Sequence, residues 1–178
     1  MPTAKSPVQI GYRQVQSKTA KLLNGLGFKR KGSIIFTAKD DNFAVIHFQS
    51  NRYSTKTELT FTVNVGVIIE KLVDPRAYSQ CLKHPSIVHA QVRLRIGNLL
   101  PEKRDKWWTI TEDVEIVESS KDFARLMIQT AVPFIQHFMV IENVISAWEH
   151  GTAPGLTDVG RIRYLAQWKD LIAKEGNS

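Results

Sequence analysis

Near the N-terminus the hydrophobic residues recur with the period of a helix. Tyr12, Val15, Thr19, Leu22, Leu23 and Leu26 fall on one side, and Arg13, Gln16, Lys18 and Lys21 on the other, which predicts an amphipathic helix over residues 9–24. Asn24-Gly25 ends it, because glycine accepts the left-handed backbone on which helices commonly close. The period then falls to two. Segments rich in β-branched and aromatic residues predict strands at Phe28–Lys31, Ile34–Ala38, Phe43–Ser50, Glu58–Ile69 and Gln91–Leu99, with a short one near Trp107–Ile110. Asp40-Asp41-Asn42 reads as a hairpin turn, and Asn51 to Thr57 as a longer connection. Between Glu70 and Ala90, Val73-Asp74-Pro75 and His84-Pro85-Ser86 bracket a polar insertion, expected to be a loop with at most a short helix.

Beyond the last strand the helical period returns. Phe123, Met127, Ala131, Phe134, Phe138, Ile141, Ile145 and Trp148 line one face of a long helical stretch, with Ser119 or Ser120 placed to cap it and Pro133 to kink it. This stretch is expected to cover the sheet. Gly151 to Thr157 reads as a linker, and Val159–Lys174 as a last helix with Ile162, Leu165, Ala166 and Trp168–Leu171 on its apolar side. The organisation expected is a flexible tail over 1–8, a single α+β domain over 9–150, and a linker with a C-terminal helix packed on it over 151–178. The sheet is expected to be an antiparallel meander of four to five strands, packed against the N-terminal helix and the long C-terminal helical region.

Strand alternation carries the most geometry. Leu59, Phe61, Val63, Val65 and Val67 point to one side of their strand and Thr60, Thr62 and Asn64 to the other. Ala44, Ile46 and Phe48 alternate with His47 and Gln49, and Val92, Leu94 and Ile96 with Gln91, Arg93 and Arg95. With the apolar sets turned to the helices, the polar sets share the opposite face, joined by one of Trp107 and Trp108. The candidate ligand-binding residues are therefore His47, Gln49, Asn64, Arg93, Arg95 and Trp107. Antiparallel sheets often simply wet one face, but two arginines and an aromatic beside amide and imidazole groups can equally hold a polar or anionic ligand. Arg93 and Arg95 lie about 7 Å apart on one side of a strand that has no acid of its own, so an anion must come from elsewhere in the fold or from a ligand.

The segments Leu26-Gly-Phe-Lys-Arg-Lys-Gly, His47-Phe-Gln-Ser, Phe61-Thr-Val-Asn-Val-Gly-Val, Arg93-Leu-Arg-Ile-Gly and Asp105-Lys-Trp-Trp together resemble a bacterial family, domain of unknown function 4304, over about residues 10–112. The resemblance implies a small bacterial α+β domain and no particular activity. Its pattern includes Gln49, Asn64, Gly66, Arg93, Arg95 and Trp107–Trp108, overlapping the polar face.

Composition narrows the function without naming it. The 178 residues are 43% hydrophobic and 23% charged, as in an ordinary globular protein. A single cysteine, Cys81, removes intrachain disulfides and fits a reducing cytoplasm. No secretory signal is expected from Met1-Pro-Thr-Ala-Lys-Ser-Pro, and the longest uncharged run, Leu126 to Ile141, is shorter than the roughly 20 residues of a membrane span. The net charge of +7 resolves into +7 over residues 1–58, +3 over 59–112 and −3 over 113–178. That asymmetry permits an anionic partner.

Catalytic and cofactor patterns are missing. Gly25-x-Gly27 with Gly32 follows a helix and enters a strand, the reverse of a phosphate-binding turn. Cys81, His84 and His89 offer three soft ligands with no fourth, so no metal is expected. His137, within an apolar helix, reads as a core or boundary residue. No cofactor is implied. Three functions stay open. The leading one is a non-catalytic binding or protein-interaction module that takes a protein partner or an anionic ligand. The second is a nucleic-acid binder that uses Lys29, Arg30, Lys31, Arg52, Lys56, Arg93, Arg95, Lys103 and Arg104 with Trp107 or Tyr53. The third is an enzyme built on His47 and the strand arginines.

Overall fold

In the computed structural model, residues 5–112 and 116–176 are described. Helix α1 spans Pro7–Asn24, opening two residues earlier than expected, with Pro7 at the first helical position where its missing N–H costs nothing. The face it buries is Val8, Val15, Thr19 and Leu23. Leu22 and Leu26, assigned to that face by periodicity, are about half exposed instead, Leu22 in the last turn and Leu26 beyond the helix end, while Gln16, assigned to the polar side, is buried. Gly27, with φ +82°, holds the left-handed backbone after the helix, while Gly25 stays right-handed.

Six strands follow: β1 Lys29–Lys31, β2 Ile34–Lys39, β3 Asn42–Ser50, β4 Glu58–Ile68, β5 Val92–Arg95 and β6 Trp108–Thr111. All pairings are antiparallel, in the order β1-β2-β3-β4-β5. Strand β6 returns to β4 and pairs with its N-terminal half, while β5 takes the C-terminal half, so the two share one edge. The expected strand Gln91–Leu99 ends at Arg95, and Ile96–Leu99 forms a 3₁₀ turn. This turn steers the chain away from the β4 edge before it comes back as β6. The hairpin between β2 and β3 is closed by Asp40 and Asp41, both at positive φ, as a two-residue turn with the twist of the strands requires.

Alternation places Ala44, Ile46, Phe48, Leu59, Phe61, Val63, Val65, Val67 and Val92 on one buried face. Helices α1 and α3 (Ile116–Phe138) pack on this inner side. Tyr12, Phe48, Phe61, Trp108 and Phe123 form an aromatic cluster there, with Trp108 stacked 5.8 Å from Phe61 and edge-on 5.0 Å from Phe123. Residues Asp113, Val114 and Glu115 lie outside the described residues. Because α3 already includes Ile116, Ser119 and Ser120 lie at positions inside the helix and not at its start.

The long helical stretch is two helices. The chain runs helically through Pro133 and turns by 84° between Phe138 and α4 (Ile141–Glu149). Val140 is extended there, and the Asn143 side chain donates to the freed His137 carbonyl at 2.8 Å. The break therefore follows a capped turn and not the proline. His137 itself is exposed. Among the described residues no single helix is long and apolar enough to cross a membrane; α3 and α4 would pass only as a bent pair, and their apolar residues Phe123, Met127, Ala131, Val144 and Trp148 are buried in the core.

Helix α5 (Asp158–Glu175) packs on α4 and on the 3₁₀ turn Glu70–Leu72. Tyr164, Leu165, Trp168 and Leu171 face the core, whereas Ile162 is 57% exposed and Ala166 is also outside. The linker before α5 is pinned to the edge strand at Gly155. With φ +80°, Gly155 brings its backbone so close to the Arg93 carbonyl that a Cβ there would stand 1.7 Å from the oxygen.

Candidate functional site

The outer face of the sheet is divided in two. Its half toward the Glu70–Gln91 insertion is apolar: Val45 and Ile68 join Val73, Cys81 and Ala90 in a second small core, flanked by Ile34, Phe36, Phe43 and Ile87. Helix α2 (Tyr78–Lys83) and the turn Ile87–His89 form this cover. Gly66 makes the close approach possible, since a side-chain carbon there would stand 2.7 Å from Ile87 and 2.8 Å from Ala90. In this half alternation itself turns Phe43, Val45 and Ile68 outward, and Gln91, assigned to the polar face, is buried under the insertion, accepting from the Ile69 N–H at 2.8 Å and donating to the Leu72 carbonyl at 3.3 Å.

The uncovered half holds His47, Gln49, Asn64, Arg95 and Trp107, while Arg93 lies opposite Gly66 beside the cover. His47, Asn64 and Arg95 are direct cross-strand neighbours in one row, which Ile34 and Lys31 continue to the far edge. The next row pairs Gln49 with Thr62, and Trp107 enters just ahead of β6. Of the two tryptophans, Trp107 joins the outer face, because Trp108 lies opposite Phe61 in the core. Asn64 Nδ2 donates to Gln49 Oε1 at 2.9 Å, and the Thr62 hydroxyl donates to the Lys106 carbonyl at 2.8 Å, anchoring the loop that carries Trp107.

Arg95 is the centre of the arrangement. Its guanidinium lies over the Trp107 ring, 5.3 Å from the centroid, and its Nη1 donates to Asp105 Oδ2. The same oxygen accepts the Trp107 indole N–H at 3.0 Å. One carboxylate thus fixes both the cation and the ring. Asp105 is the residue that reasoning from strand alternation misses: it sits in a loop, and its signal in the sequence is its place at the head of Asp105-Lys-Trp-Trp, one of the segments that carry the family resemblance.

The expectation that an anion must neutralise the two arginines is met within the fold for Arg95, while Arg93 meets a neutral carbonyl. Arg95 takes Asp105, and Arg93 reaches the Ile87 carbonyl of the insertion at 3.4 Å. Acids of the C-terminal third pair elsewhere, Glu175 with Lys71 and Glu149 with Lys169.

His47 is half-buried between Ile34 and Asn64, and burial lowers its pKa below the ordinary imidazole value. Its Nδ1 is buried and makes no hydrogen bond among the described residues. Asn64 stands between it and Arg95, so the two groups of the enzyme reading are about 10 Å apart at the usual strand spacing. Nor does the insertion gather its three soft ligands. Cys81 points into the second core, where burial raises its thiol pKa, while His84 is exposed beside Lys31.

The basic residues proposed for nucleic acid are dispersed. Lys29 and Lys31 share the outer face at its edge, but Arg30 points inward and is held by Gln16, Ser17 and Gly32. Arg52 stacks on the exposed ring of Tyr53 in the β3–β4 connection.

The model of the family described as "Domain of unknown function (DUF4304)" matches residues 19–137, two thirds of the chain, from within α1 to the end of α3. The chain belongs to that family. No curated protein and no solved structure matches it.

Proposed function

We propose that the chain is a non-catalytic interaction module of the cytoplasm that docks a protein partner on the uncovered half of its outer sheet face. The observation that carries this reading is the Arg95–Trp107–Asp105 arrangement: a tryptophan and an arginine, joined through one carboxylate, at the β5 end of a row that continues through half-buried Asn64 and His47. Tryptophan and arginine anchors dominate the energetics of protein interfaces, and pre-fixed anchors lose little side-chain entropy on docking. The internal pairing of Arg95 lowers the need for an anionic ligand and favours a partner that reads the face by shape and hydrogen bonds. Lone, buried Cys81 suits a reducing compartment.

Affinity capture with the full chain, compared with Trp107→Ala and Asn64→Ala, tests the reading. A partner should be recovered by the parent chain and lost by both variants, with circular dichroism unchanged. Recovery of the same partner by both variants overturns it. If a single-stranded oligonucleotide binds with a steep salt dependence that Arg95→Met abolishes, the face belongs to nucleic acid instead.

A further inference from the structure

At the other end of the sheet, on its inner side, α1 and the β1–β2 hairpin enclose a cleft of about 540 Å³. Helical spacing brings Tyr12, Arg13 and Gln16 to one wall, Arg30 and Ser33 stand on the other, and Lys5 completes the lining. Among its ten described lining residues three are cations and none is a carboxylate. Among the described residues Arg30 is fixed by neutral acceptors alone. Its Nε donates to the Gly32 carbonyl at 2.8 Å, its Nη2 to Gln16 Oε1 at 2.7 Å, and its Nη1 to the Ser17 hydroxyl. Five N–H groups on a guanidinium leave two to spare. Arg30 is thus a rigid, partly desolvated fork beside a second guanidinium, with no counter-charge in the cleft. Burial and then the charge of Arg13 lower its pKa, while burial pushes the Tyr12 hydroxyl up to about 12, keeping it a neutral hydrogen-bond donor.

We infer that this cleft binds a small phosphomonoester through its phosphate. A dianionic tetrahedral head matches three cations better than a single carboxylate does, and Arg30 presents the planar fork suited to phosphate oxygens. Arg13 and Lys5 close on the anion, and the Tyr12 and Ser33 hydroxyls supply neutral donors. The volume exceeds that of a bare ion and falls within the roughly 300–1,000 Å³ of small-molecule sites, leaving room for the organic group. The site is independent of the outer face, because Arg30 projects from β1 on the side opposite Lys29 and Lys31.

The experiment titrates the full chain with phenyl phosphate, inorganic phosphate and phenylacetate at constant ionic strength, following the Arg30 Nε–H resonance and the melting temperature. Phenyl phosphate should shift the resonance saturably and raise the melting temperature, binding more tightly than inorganic phosphate and at least tenfold more tightly than phenylacetate. Exposed Arg13 holds no core contact, so Arg13→Gln should fold normally and weaken phenyl phosphate binding tenfold or more. The inference is overturned by a shift that sodium chloride reproduces, by equal affinity for inorganic phosphate and the ester, by equal affinity in Arg13→Gln, or by no saturable shift at millimolar concentration.

Discussion

Replacing Arg95 with Met removes the charge at the β5 edge of the outer face while keeping most of the stem's volume. The stability cost follows from the contacts. The Arg95–Asp105 pair is well exposed, with side-chain exposures of 38% and 46%, and ion pairs in that setting contribute about 0.2–1 kcal/mol. Stacking of an exposed guanidinium on Trp107 adds roughly 0.5–1 kcal/mol. The methionine sulfur recovers about 0.3–1.5 kcal/mol against the same ring. Asp105 is not stranded, because it keeps the Trp107 N–H at 3.0 Å and access to water. The net loss is on the order of 1 kcal/mol, a fall in melting temperature of roughly 2–4 °C for a domain of this size.

Calorimetry on the parent chain, Arg95→Met, Asp105→Asn and the double variant measures this directly. The coupling between the two positions should stay below about 1 kcal/mol, as for other exposed pairs. Partner capture by Arg95→Met should nonetheless be lost, since the anchor is gone while the fold remains. A loss of stability beyond about 3 kcal/mol, with no functional defect separable from unfolding, would show that Arg95 is a structural strut.

Other perturbations probe the scaffold. Gly155→Ala combines a left-handed backbone cost of roughly 1–2 kcal/mol with a clash on the Arg93 carbonyl, whereas Gly151→Ala, at φ +69° with its nearest neighbours 3.9 Å away, carries the backbone cost alone. Urea unfolding should therefore rank Gly155→Ala clearly below Gly151→Ala, and equal stabilities would mean the linker is not pinned there. Trp148 is fully buried and stacked 5.8 Å from Tyr164, so Trp148→Ala should lose about 3–5 kcal/mol and speed amide exchange throughout α5. His47 has a folded pKa lowered by burial, so the unfolded chain binds its proton first as pH falls. Stability should be full above about pH 6.5 and decline as pH drops toward the folded value, and His47→Gln should flatten that decline. An unchanged pH profile in His47→Gln would show that other groups set it.

How much of this was legible in the sequence depends on the range over which each signal acts. The hairpins from β1 to β4 are local: turns at Gly32-Ser33 and Asp40-Asp41 join strands whose alternation fixes the buried face, so Val63, Val65 and Ile46 lie where the period of two puts them. That His47, Asn64 and Arg95 share the outer face follows from the same rule, whereas their standing in one row is set by the pairing register, which for Arg95 spans the Glu70–Ala90 insertion. Errors arise where one segment answers to another far along the chain. Leu22 and Ile162 match a helical stripe yet face solvent, because the period marks which residues could be buried and the neighbouring elements decide which of them are covered. Ile96–Leu99 has strand composition, but β4 has only one free edge, and β6 occupies half of it.

The same dependence on distant segments shaped the site. An alternating strand declares which residues share a face but not whether that face is open, and here the answer lies in the Glu70–Gln91 insertion. That segment has weak periodicity of its own and becomes ordered by burying Val73, Cys81 and Ile87 against Val45 and Ile68. By covering one half of the outer face it leaves the other as a bounded strip, edged by Lys31 and by Arg95 with its partner Asp105. A wetted antiparallel face has no need to fix an arginine and an indole on one carboxylate oxygen: each could reach water alone. On the proposed docking reading, anchors already positioned beside a built cover lose less side-chain entropy when a partner binds, because the cost of placing them falls on the fold.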